Sequence, residues 1–152
     1  MEPEILFLRY AFPCAFILRT RGKISARDYG RLEYAAKHGK KLPQAFLEKS
    51  FPKAIEKLRI VANGQNIWNC GTIRKYFINR HNSMIDDNLF SWKNAPSSLK
   101  ELCKVKKARV MEKKGRVLVA KYGKSARPVF NLCNAKPGDY VMIHYGYAVE
   151  KA

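Results

Sequence analysis

The chain has 152 residues, 47% of them apolar, and its 30 Lys/Arg against 12 Asp/Glu give a formal charge of +18 and a pI near 10.0. That length and apolar content fit one domain or two small ones with a real core, and they exclude a wholly disordered chain. The charge predicts attraction to polyanions, and so few acids leave little material for general acid–base catalysis, so an enzyme is not expected.

The first residues, Met-Glu-Pro-Glu, are acidic where a secretory signal is basic. The apolar run from Ile5 to Leu18 is too short to cross a bilayer and contains Arg9 and Pro13. It predicts a buried helix kinked at Pro13. Ser25 with Asp28 three residues on predicts a cap for a helix over Ala26–His38, with Tyr29, Leu32, Ala35 and Ala36 on one face and Gly39 as its C-cap. Leu42-Pro43 opens a short helix with Ala45, Phe46 and Leu47. Phe51-Pro52 opens another with Ile55, Leu58, Ile60 and Val61, closed by Asn63-Gly64. Ile67, Cys70, Ile73, Phe77 and Ile78 give one more helical stripe, weakened by Gly71 and Thr72.

From Asn79 to Ser98 the periodicity dissolves into Asn, Ser, Asp and Pro, which predicts a loop or linker with Phe90 and Trp92 docked on one domain. Ser98 caps one turn over Leu99–Leu102. Beyond it the pattern turns to strands. Cys103–Met111 alternates, Lys114-Gly115 is a hairpin turn, and Arg116–Tyr122 is rich in β-branched residues. Gly123-Lys124-Ser125 turns again. Arg127–Cys133 is a third strand whose Pro128 suits an edge. Pro137-Gly138-Asp139 is a strong turn, and Tyr140–Ala148 is the last strand. So many short strands in so few residues predict an OB-like β-barrel, with a curled sheet as the alternative. The fold class expected is therefore α+β: a helical domain over 1–98, including the linker at about 79–98, then a barrel over 99–152. The charge is even across that division, with 17 Lys/Arg and 8 Asp/Glu before residue 99 and 13 and 4 after it.

The four cysteines, Cys14, Cys70, Cys103 and Cys133, form no C-x-x-C pair and match no zinc module. Reduced thiols and a cytoplasmic location are the expectation. Cys14, Cys70 and Cys133 lie in apolar stretches and read as core. His38 lies near a helix end and His81 in the loop, neither with a companion that suggests a metal site.

The closing block, Gly138-Asp139-Tyr140-Val141-Met142-Ile143-His144-Tyr145-Gly146-Tyr147-Ala148-Val149, resembles the closing strand of the HypC/HupF family of hydrogenase-assembly chaperones. Cys103, Ala108-Arg109-Val110, Gly115, Val117-Leu118-Val119 and Pro128–Leu132 fall into the same order, so the resemblance covers residues 103–152, about one third of the chain. It implies an OB-like barrel that binds a hydrogenase large-subunit precursor or a maturation protein and transiently carries an iron bearing cyanide and carbon monoxide. It also implies that Cys103 and His144 hold the partner or the metal. Thiolate and imidazole are both good ligands for iron. Here Cys103 is internal, whereas the family's cysteine follows the initiator methionine, and Lys104-Val105-Lys106-Lys107 replaces the family's small-apolar-Pro sequence. Close lysines would lower the Cys103 pKa. His144 is expected to point toward the start of the barrel where Cys103 lies, with Gly146 clearing the approach.

Without the resemblance, Cys103 reads as a small apolar residue at a strand start and His144 as a hydrogen-bonded barrel histidine. The alternative function is nucleic-acid binding. Alternation puts Tyr145 and Tyr147 on one face of the last strand, opposite His144, and with Tyr122, Tyr140 and the lysines they suit a stacking platform for single strands.

Overall fold

The computed structural model describes residues 1–87 and 93–152, so Phe90 and Trp92 lie outside the described residues. The chain is α+β, with helices N-terminal and a closed five-stranded barrel C-terminal. It divides into two compact units, Met1–Tyr76 and Phe77–Ala152.

In the first unit the opening apolar run forms α1 (Pro3–Ala11), a 3-10 turn (Phe12–Cys14) and α2 (Ala15–Thr20). Pro13 lacks an N–H and its ring crowds the preceding turn, so the helix tightens there. The Ser25 hydroxyl accepts from the Asp28 N–H at 3.1 Å and starts α3 (Ala26–His38). Gly39 ends it in the left-handed region at φ 59°, where a side chain is costly. Helices α4 (Gln44–Ser50) and α5 (Pro52–Ala62) follow, the latter closed by left-handed Asn63. The Asn69 side chain accepts from the N–H groups of Gly71 and Thr72 and caps α6 (Cys70–Arg74); the π-helical turn that follows, Lys75–Arg80, begins in this unit and continues into the second.

Helix α1 is central and packs on α3, α4 and α6. Its Leu6, Phe7 and Tyr10 are fully buried, as are Leu32, Leu47, Leu58 and Ile73 from the surrounding helices. The Phe7 ring meets Phe51 and Trp68 edge-on, with centroids 5.9 and 5.4 Å away. Each such side chain contributes about 1.5–3 kcal/mol of burial free energy.

The second unit holds α7 (His81–Asp86), α8 (Ser97–Cys103) and strands β1 (Lys106–Lys114), β2 (Val117–Tyr122), β3 (Ser125–Asn131), β4 (Tyr140–His144) and β5 (Tyr147–Lys151). The barrel closes in the order β1-β2-β3-β5-β4. Neighbours are antiparallel except β3 and β5, which pair in parallel at Phe130–Tyr147 and Asn131–Ala148. Ala108, Val110, Leu118, Ala120, Val129, Val141, Ile143 and Ala148 fill the interior.

Four expectations change. The stretch 79–98 is not all loop: His81, Met84 and Ile85 sit at helical spacing, and burying them makes α7. Cys103 does not begin a strand. It ends α8, and β1 starts at Lys106 and runs past Met111 through a bulge between Val110 and Glu112. Tyr140–Ala148 is two strands, because Tyr145 turns the chain at φ 51°. Pro128 is not on an open edge, since β3 has neighbours on both sides. Its pairing with β5 is limited to Phe130 and Asn131, so the missing N–H falls where no ladder bond is needed.

Candidate functional site at one end of the barrel

The pleat of β4 decides where His144 points. Val141 and Ile143 face the core, so Met142 and His144 face outward. His144 is nevertheless 0% exposed, because the outside of the barrel is covered here. The His81 ring from α7 stands edge-on to it at 5.1 Å, Phe77 lies at 6.4 Å, and the Tyr145 ring at 5.4 Å.

Helix α7 is fastened to the start of β1. The Asn82 amide donates to the Val105 carbonyl and its oxygen accepts from the Val105 N–H, both at 2.8 Å, as a neighbouring strand would do. The Lys104 ammonium bridges Asp86 at 2.5 Å and Glu101 at 2.8 Å, and Lys106 reaches Glu101 at 2.8 Å. Two hydrogen-bonded ammonium groups push the Glu101 carboxyl down to about 2.

Cys103, at the last position of α8, is also 0% exposed. Its thiol donates to the Tyr145 hydroxyl. The Tyr145 N–H donates to the Leu102 carbonyl at 3.1 Å, so backbone and side chain of one residue tie the β4–β5 turn to the end of α8. The fold thus sets Cys103 and His144 around Tyr145, the thiol on its hydroxyl and the imidazole beside its ring.

Burial pushes the Cys103 thiol up to about 11, against a smaller pull downward from the Tyr145 hydroxyl. The lowering expected from flanking lysines does not occur, because Lys104 and Lys106 direct their ammonium groups to Asp86 and Glu101. Gly146 is exposed, and a Cβ added there meets nothing within 4 Å, so the turn needs no glycine for space. Tyr145 and Tyr147 do not share a strand face: Tyr145 occupies the turn, and Tyr147 faces outward opposite His144 across the hairpin.

His81, Phe77 and Asn82 were missed by sequence reasoning. The signal was the spacing His81, Met84, Ile85, one helical face within a segment too short to stand out from its polar surroundings. Among the described residues no three His, Cys, Asp or Glu side chains are grouped to hold a metal ion. No helix among them is long and apolar enough to cross a membrane. No protein-family model matches the chain, and no curated protein matches it either.

Proposed function

We propose that the chain is a non-enzymatic adaptor of HypC type that binds a hydrogenase large-subunit precursor or a maturation partner. The binding end of the barrel is the one that carries Cys103, Tyr145 and His144. The observation that supports this reading most is the meeting of Cys103 and His144 at Tyr145, since they come from opposite ends of a 50-residue barrel sequence and are the two residues the resemblance singles out. Iron, in this reading, is cargo. A deprotonated Cys103 and the His144 imidazole supply two ligands of suitable softness, and the remainder come with the iron or from the partner.

In the free chain this end is shut. Cys103 and His144 are fully buried, and the thiol stays protonated at neutral pH. Partner binding therefore requires α7 and α8 to move off the barrel, breaking the Asn82–Val105 pair and the Lys104–Asp86 bridge. Coupling of this kind lets a partner select the open form.

The test is capture by the tagged chain, wild type and Cys103→Ala, from a lysate of its source cells at high salt, which screens nonspecific polyanion binding. A hydrogenase subunit or maturation protein held by the wild type and lost by a folded variant supports the reading. The same proteins held equally by both forms contradict the role of the thiol.

A further inference from the structure

Strand register lines up an outward-facing row across four strands. His144 pairs with Tyr147, Tyr147 with Phe130, and Phe130 with Val117. Facing partners in adjacent strands point to the same side, and the interior is filled by the alternate residues. One end of the row, His144, lies under α7. The row then emerges: Tyr147 and Phe130 are half-buried and Val117 is 43% exposed, an unusual exposure for a valine in a strand.

Two turns flank the row. The Phe130 N–H donates to the Gly146 carbonyl at 2.7 Å, and the Asn131 N–H donates to the Arg116 carbonyl at 2.8 Å. The β4–β5 turn and the β1–β2 turn are thereby drawn to the two sides of one aromatic pair. The β1–β2 turn is strongly basic: Lys113, Lys114 and Arg116 are all exposed, and the Arg116 guanidinium lies over the Phe130 ring at 6.0 Å. The Phe130 and Tyr147 rings are 6.2 Å apart.

The geometry points to this strip as a binding surface for single-stranded nucleic acid. Bases stack on Tyr147 and Phe130 while phosphates run along Lys113, Lys114 and Arg116. Three features choose this occupant. The net charge of +18 favours a polyanion over a neutral chain. Interleaved rings and cations suit stacked bases with a charged backbone, whereas an acidic peptide uses the cations and leaves the rings idle. The strip also occupies the region where OB-type barrels bind oligonucleotides, the faces of the second and third strands and the two loops beside them. The exposed cations of the β1–β2 turn touch neither Cys103 nor His144, so removing them is expected to leave the thiol-dependent capture of a protein partner in place.

The experiment is fluorescence anisotropy of a labelled oligothymidylate of about 15 nucleotides with the full chain, across a range of salt. The triple variant Lys113→Gln, Lys114→Gln, Arg116→Gln is expected to weaken binding about tenfold or more and to reduce the log–log salt slope by about 2. Tyr147→Leu is expected to weaken it by about five- to a hundredfold with the slope unchanged, since a stacking partner is lost and no charge. Lys53→Gln, an exposed change on α5, serves as the control and alters binding little. The turn variant removes only exposed charge, so it keeps the test decisive even if Tyr147→Leu impairs folding. The proposal is overturned if the triple variant binds like the wild type, if Lys53→Gln weakens binding equally, or if polyglutamate competes as well as unlabelled oligothymidylate.

Discussion

The thiol of Cys103 donates to the hydroxyl of Tyr145, a residue 42 positions later in the chain. With the bond from the Tyr145 N–H to the Leu102 carbonyl, this contact joins the helix that precedes the barrel to the turn between its last two strands. It also sets the chemistry of the thiol. A buried, hydrogen-bonded thiol with its pKa near 11 is a closed group, and reaching it requires the surrounding cover to lift.

Alkylation of the native protein reads this directly. At pH 8 the thiolate fraction of Cys103 is about a hundredfold below that of a thiol with the ordinary value of 9.0, and burial slows the reaction further. Cys14 and Cys70, both half-buried, are modified first, and Cys103 only after the others or on unfolding. A mass-spectrometric time course of iodoacetamide labelling checks the order.

Asn82 fastens the cover. Asn82→Ala leaves the N–H and carbonyl of Val105 without their partner and is expected to cost about 2–3 kcal/mol in urea unfolding. Cys103 labelling is expected to speed up in the same variant. Asn82→Asp keeps one acceptor but sets a charge against the Val105 carbonyl, so it does not rescue. A wild-type labelling rate in Asn82→Ala would show that α7 does not guard the thiol.

Glu101 makes the same contact region pH-dependent. Its carboxyl lies near 2 in the folded chain against 4.5 for the free group, because Lys104 and Lys106 hold the ionised form. A depressed folded value means stability present in full above about pH 4.5 and lost as pH falls toward 2. Unfolding midpoints of wild type and Glu101→Gln should therefore differ at pH 6 and converge at low pH. The difference is small and salt-sensitive, since the carboxylate is more than half exposed.

The β4–β5 turn separates two roles held by adjacent residues. Gly146→Ala adds a methyl into open space and is expected to change stability by no more than about 0.5 kcal/mol. Tyr145→Phe keeps the ring beside His144 but removes the acceptor of the Cys103 thiol, at about 1 kcal/mol. Chemical denaturation of the two variants side by side distinguishes them.

How far the sequence disclosed this arrangement depends on how local each feature is. Caps and turns were readable because they lie in a few consecutive residues: Ser25 with Asp28, Gly39, and Pro137-Gly138-Asp139. Barrel closure, set by distant pairings, was reached through strand count and the family resemblance. The hairpin between β4 and β5 was overlooked although Gly146 marks it, since its left-handed position falls on Tyr145 and not on the glycine. Helix α7 hid in a polar segment because six residues are too few for a periodic pattern. The rings of Phe77 and His81, which help to cover His144, come from before residue 103, outside the stretch that the resemblance covers.

The adaptor role stands or falls on the affinity of the purified chain for a purified hydrogenase large-subunit precursor at high salt, measured by calorimetry. Wild type, Cys103→Ala and His144→Ala are compared, each shown by circular dichroism to keep its fold. Specific binding by the wild type and its loss in both variants is the expected result. No binding by the wild type, or equal binding by all three forms, would rule that role out.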